Sequence, residues 1–183
     1  MTDTDFDPAA YGPAFALLLT GDRLNPLGPG RPDAAKRPAL AALGDADFPR
    51  PVVDRAAAAA CRAGLWLLHD FLDESHTISQ ELHTAEGSYW HAIMHRREPD
   101  HSNAAYWLRR VGAHSIHGGL ARTAAELGYG KAAGWDAFAF NDDCEDHRGK
   151  GDAAEEVLRR VQRAEWELLF DYCFRKAVGA AER

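Results

Sequence analysis

The chain lacks the marks by which many function classes announce themselves. It has three cysteines, Cys61, Cys144 and Cys173, odd in number, far apart and in no CxxC spacing. That excludes a disulfide framework and a cysteine-built zinc site, and leaves the thiols as small core or surface residues. No apolar run approaches the roughly 20 residues that cross a bilayer; the run at Phe15 to Leu19 is far shorter. The first residues, MTDTDFDP, are acidic where a secretion signal carries bases, so a cytoplasmic protein with no membrane partner is expected. Basic excess is missing too: the net charge is −7, against broad nucleic-acid binding, whose affinity comes mainly from neutralising phosphates. There is no P-loop, no GxGxxG and no GxSxG, so cofactors and nucleophiles read through those motifs lose support. Strand-like alternation and internal repeats are also absent.

What is present is helical periodicity in a chain of 183 residues, 46% hydrophobic and 27% charged. These totals suit one all-α domain, a helical bundle with its own core, spanning 1–183. A first helix is expected over Pro8 to Thr20, stopped by Gly21. Residues 21–52 then hold six of the nine prolines, with Gly28 and Gly30 between them, a long stiffened connection interrupted by a short helix near Asp33 to Leu43. NPLGPGRP has backbone N–H groups for an anion, but proline removes donors, so an irregular loop is the favoured reading. Asp54 is placed to cap a long helix through AAAAACRAGLWLLHDFLDE, apolar nearly all round in its second half. Helices follow from about Ser88 to Glu98, ended by Pro99; from Asp100 or Ser102 through Val111, closed by Gly112; and from Leu120 to Leu127. NDDCEDHRGKG lacks the order of a calcium loop and reads as a solvated acidic loop. Asp152 and Glu155 form a capping-box-like pair for a last helix reaching about Val178.

Residues 89–110, YWHAIMHRREPDHSNAAYWLRR, concentrate three histidines and four arginines beside large aromatics. His91 and His95 stand four apart, so their rings share a helix face and suit one divalent metal ion. Ala92 occupies the place of the HExxH glutamate, which rules out a zincin. The alternative is a pair of surface or hydrogen-bonded core histidines. In HDFLDESHTISQELH, Asp73 lies at i+4 from His69 and His76 at i+3 from Asp73, so Asp73 and His76 are candidates to complete the site, with Glu74 on the wet side. Arg96, Arg97 and Arg110 are candidate clamps for an anionic group, with Tyr106, Trp107 and Trp90 as walls. Favourable placement of cations at helix C-termini accounts for some of these arginines without a ligand. Glu165 falls on the apolar stripe of Val161, Leu168, Leu169 and Tyr172, where a carboxylate needs a partner, and is a candidate catalytic acid. His114 and His117, near a glycine turn, are weaker candidates for anion contact.

The strings ESHTIS, YWHAIMHRREPDHSNAAYWLRRVG and LNPLGPGRP resemble a family of uncharacterised bacterial and fungal proteins of similar length. The likeness runs over Leu24 to Pro32 and Leu65 to His114, about the middle half of the chain. No activity is established for that family, so the resemblance carries over no catalytic residue and no cofactor, and only strengthens the case for a shared site here.

The expected function is an enzyme with a polar pocket acting on a small anionic molecule, by metal-assisted or histidine acid/base chemistry of the hydrolase or lyase type. His91 and His95 are the metal ligands; His76, Asp73 and Glu165 the catalytic groups; Arg96, Arg97, Arg110, Tyr106 and Trp90 the substrate contacts. A noncatalytic binding or regulatory module is the rival from another class. A structural histidine–arginine network tying helices together is a third reading. Haem is a lesser alternative cofactor, since a buried histidine is present but CxxCH is not.

Overall fold

The computed structural model describes residues 6–21, 23–130 and 134–180; the acidic flank at 1–5 lies outside them. These residues are helical with no strand among them. A 3₁₀ turn at Pro8–Tyr11 precedes α1 (Pro13–Leu19). The expected single helix over this stretch is interrupted because Gly12, at φ 90°, turns the chain out of helical geometry. Next come α2 (Arg37–Ala42), α3 (Arg55–Leu68), α4 (Leu72–Ser79), α5 (Ala85–Arg97), α6 (His101–Val111), α7 (His117–Glu126), α8 (Ala137–His147) and α9 (Ala153–Ala177).

Capping explains most of these starts. Asp54, Asp100 and Asp152 each accept a backbone N–H three residues on, from Ala57, Asn103 and Glu155. Thr84 does the same for Gly87, starting α5 three residues before the expected Ser88. Gly112, at φ 62°, closes α6 as expected.

Two expectations are corrected. The helix through LWLLHDFLDE is two helices, because Asp70 takes a left-handed φ of 64° between α3 and α4. The acidic stretch NDDCEDH is the body of α8, not a loop. Asp136 caps it through Phe138 and Ala139, and Phe140 and Cys144, at i and i+4, are fully buried.

The larger core gathers α1, α3, α5 and the C-terminal half of α9 around Phe15, Leu65, Trp90, Phe170 and Phe174. A second cluster joins Leu27, Leu120, Phe140, Cys144 and Val161. All three cysteines are buried and free. The helix enclosed on nearly all sides is α5, buried continuously from Glu86 to Arg97 although it carries two histidines and two arginines. It packs against α3, α4, α6 and α8. No helix among the described residues is long and apolar enough to cross a membrane.

Candidate metal centre

A helix buried on every side must pair each polar group it carries. The two arginines of α5 each bind a carboxylate distant in sequence, although Arg96 Nε has no partner among the described residues. Arg96 binds Glu165 of α9, with the two side chains 2% and 0% exposed. Its guanidinium also lies 4.8 Å from the Phe140 ring centroid, at the seam between the two cores. Arg97 binds Asp70 and donates through Nε to the Gly28 carbonyl at 3.0 Å. Asp70 further accepts from Arg23 Nη2 at 2.5 Å and Asn25 Nδ2 at 3.1 Å. The Asn25 amide also bonds the Leu68 carbonyl at 3.0 Å.

The LNPLGPGRP segment is therefore a clasp over the α3–α4 junction. Gly30 is required in it, because a Cβ there would lie 2.4 Å from Asp70 Oδ2. The same ion pairs engage three of the expected site residues. Arg96 and Arg97, expected as anion clamps, each hold a buried carboxylate of the chain itself, and Glu165, expected as a catalytic acid, is the partner of Arg96. Of the other expected contacts, Trp90 is fully buried in the core against Gly64. Tyr106 is 46% exposed. Arg110 is exposed, its guanidinium 5.2 Å from the Trp107 ring centroid. Asp73 is exposed as well; the spacing that linked it to His69 assumed a continuous helix, and Asp70 breaks that helix.

The histidines behave differently. His76 from α4 meets His91 and His95 from α5, and a ligand nitrogen of each lies within 4.8 Å of the others. Ring centroids are 4.7 Å apart for His76–His91, 5.4 Å for His76–His95 and 4.7 Å for His91–His95. Three imidazoles at zinc–nitrogen distances of about 2.0–2.1 Å in tetrahedral geometry place their nitrogens roughly 3.3 Å apart.

Several features suit a cation here. Nδ1 of His91 is buried without a hydrogen-bond partner among the described residues. Burial first, and then the neighbouring His95 and His76, pull the His91 pKa down to about 3, with the Ser79 backbone acting in the opposite sense. Burial also lowers His95, against Glu98. Neutral imidazoles keep the lone pairs that a metal needs.

Around the three rings lie groups that orient them. Glu98 Oε2 sits 3.2 Å from His95 Nδ1, so that nitrogen carries the proton and Nε2 the lone pair. Asn103 Nδ2 of α6 donates to that Nε2 at 3.0 Å, a hydrogen bond that a metal on Nε2 would displace. The Trp107 ring stacks on His91 at 4.0 Å and 18°. The i,i+4 spacing of His91 and His95 was legible in the sequence, and so was the neighbourhood of His76. His76 was expected to complete the site and Trp107 to wall it, while Glu98 and Asn103 were missed as its surroundings. The AYW triplet after Asn103, at helical spacing from the α6 cap, was the available signal.

No protein-family model matches the chain, and comparisons with curated proteins and with solved structures also find no match.

Proposed function

We propose that the protein binds a divalent transition metal through His76, His91 and His95 and uses it in hydrolase- or lyase-type chemistry on a small anionic molecule. The observation that carries this reading is the convergence of three histidine nitrogens from two helices within 4.8 Å. An all-imidazole set suits zinc and its first-row neighbours, and three protein ligands leave an open coordination position, as catalytic rather than structural sites do. The ion would supply Lewis acidity and a water of lowered pKa. Glu98 holds the His95 tautomer, and Trp107 fixes the His91 plane. Anion selectivity falls to the ion's own charge, because Arg96 and Arg97 are occupied.

Metal analysis of the full chain, purified without added metal or chelator, tests the reading beside a His91→Ala/His95→Ala variant whose fold is checked by circular dichroism. Near-stoichiometric metal lost in the variant supports it, as does turnover of a small phosphate- or carboxylate-ester panel that stops on chelation. A chain that takes up no zinc, manganese or iron(II) overturns it.

A further inference from the structure

A separate cavity of about 270 Å³ opens where the end of α1, the approach to α2 and the end of α3 meet. It is small for a ligand site, the size of a metabolite rather than of a cofactor. Leu18 and Leu68 give it an apolar wall, while Arg23, Asp33, Lys36 and His69 supply charge and hydrogen-bonding groups.

His69 is 3% exposed, and its two nitrogens have different fates. Nε2 lies 2.8 Å from the Leu18 carbonyl, which can only accept, so the ring proton is there. Nδ1 is then a lone-pair acceptor, and it is buried without a partner among the described residues. Asp33 is fixed beside it: its backbone N–H donates to the His69 carbonyl at 3.1 Å, and its Oδ1 accepts from Ala35 N–H at 3.2 Å. Its other oxygen, Oδ2, stands 3.8 Å from His69 Nδ1 and 3.8 Å from Arg23 Nη1. Those gaps exceed a direct hydrogen bond.

Two acceptors 3.8 Å apart frame a single donor, since an atom about 2.9 Å from each subtends an angle near 80°. An ammonium group has the protons and the charge to bridge them. On the cationic side, Arg23 donates through Nη2 to Asp70 Oδ2 at 2.5 Å and to the Arg31 carbonyl at 2.9 Å, while its Nε is buried with no partner among the described residues. Lys36 Nζ uses one of its three donors on the Leu17 carbonyl at 2.6 Å. These groups are placed for a carboxylate.

The geometry points to a binding site for a free α-amino acid, its ammonium between His69 Nδ1 and Asp33, its carboxylate toward Arg23 and Lys36, and its side chain along Leu18 and Leu68. Separate cationic and anionic ends select a zwitterion over a simple anion, and the leucine wall favours a small aliphatic side chain. This site shares no residue with the histidine cluster and stands or falls independently of it.

The test is a melting-temperature and calorimetric screen of the full chain against the standard L-amino acids and their desamino carboxylates, at up to about 10 mM. At least one small aliphatic amino acid should bind. Asp33→Asn keeps the acceptor that caps Ala35 and should weaken the amino acid about tenfold or more, leaving the desamino acid unaffected. Lys36→Met should weaken both. The ¹⁵N resonance of His69 Nδ1 should move when the amino acid is added to the parent chain. Binding of no amino acid in this range overturns the assignment. So does equal affinity in Asp33→Asn and parent, or a loss in that variant as large for the desamino acid as for the amino acid.

Discussion

Replacing Asp70 by asparagine isolates the charge in the α3–α4 junction. Asparagine tolerates left-handed φ as aspartate does, so the 64° backbone is not penalised, and the side chain keeps its size and one acceptor. What is lost is the negative charge facing the part-exposed Arg23 and the buried Arg97, the latter in a pair whose side chains are each 3% exposed. A hydrogen bond to a charged group contributes about 1.5–3 kcal/mol, and breaking a buried pair outright costs about 3–5 kcal/mol. The retained acceptor places Asp70→Asn between them, at about 2–4 kcal/mol. In urea, with a slope of about 2 kcal/mol/M, the unfolding midpoint should fall by roughly 1–2 M. Arg97→Met removes the stranded cation, so the double variant should be more stable than the sum of the single effects by about 1.5 kcal/mol or more. A stability for Asp70→Asn within about 0.5 kcal/mol of the parent, the range of ordinary surface changes, refutes the argument. So does strict additivity with Arg97→Met.

Two further outcomes follow from packing and from protonation. Gly64→Ala brings a Cβ within 2.7 Å of Trp90 Cζ2, and overpacking of about 1–3 kcal/mol should outweigh the roughly 1 kcal/mol gain in helix propensity; a raised melting temperature contradicts this. His114, beside Tyr89 and Tyr172, has its pKa pulled down to about 4 by burial, with Glu86 opposing, and burial also lowers His117. With about 6.5 in the unfolded chain, the unfolded state binds the extra protons below that value. The contribution of His114 is thus complete above pH 6.5 and lost as pH falls toward 4. Melting curves from about pH 7 to pH 4.5 should fall less steeply in His114→Gln than in the parent, and identical slopes count against it.

How far the sequence could be read depended on the range of the interaction. Helix class and several boundaries came from local chemistry: the caps at Asp54, Asp100 and Asp152 and the stop at Gly112 act within three or four residues. The split at Asp70 was hidden because nothing in LLHDFL forbids a helix; its left-handed turn is held from outside, by Arg97, Arg23 and Asn25. Helix α8 was hidden by low-propensity Asn and Asp, which conceal the i,i+4 pair Phe140 and Cys144. At the site, His91 and His95 were visible because one helix carries both. The occupants of the Arg96 and Arg97 side chains were not, since Glu165 and Asp70 stand 69 and 27 residues away.

The clasp formed by residues 24–32 also sets an order of events during synthesis. Besides Asp70 and Arg97, this segment is held from α9: Arg159 donates to the carbonyls of Asn25 at 3.1 Å and Leu24 at 2.5 Å, and Gln162 to that of Pro26 at 3.2 Å. Those partners follow it by 134 to 136 residues. At about 5–20 residues per second, the ribosome delivers them roughly 7–27 s after the clasp itself is made. Through that interval the segment has only part of its anchorage, and its prolines, by restricting the unfolded backbone, reduce the entropy lost when it finally docks.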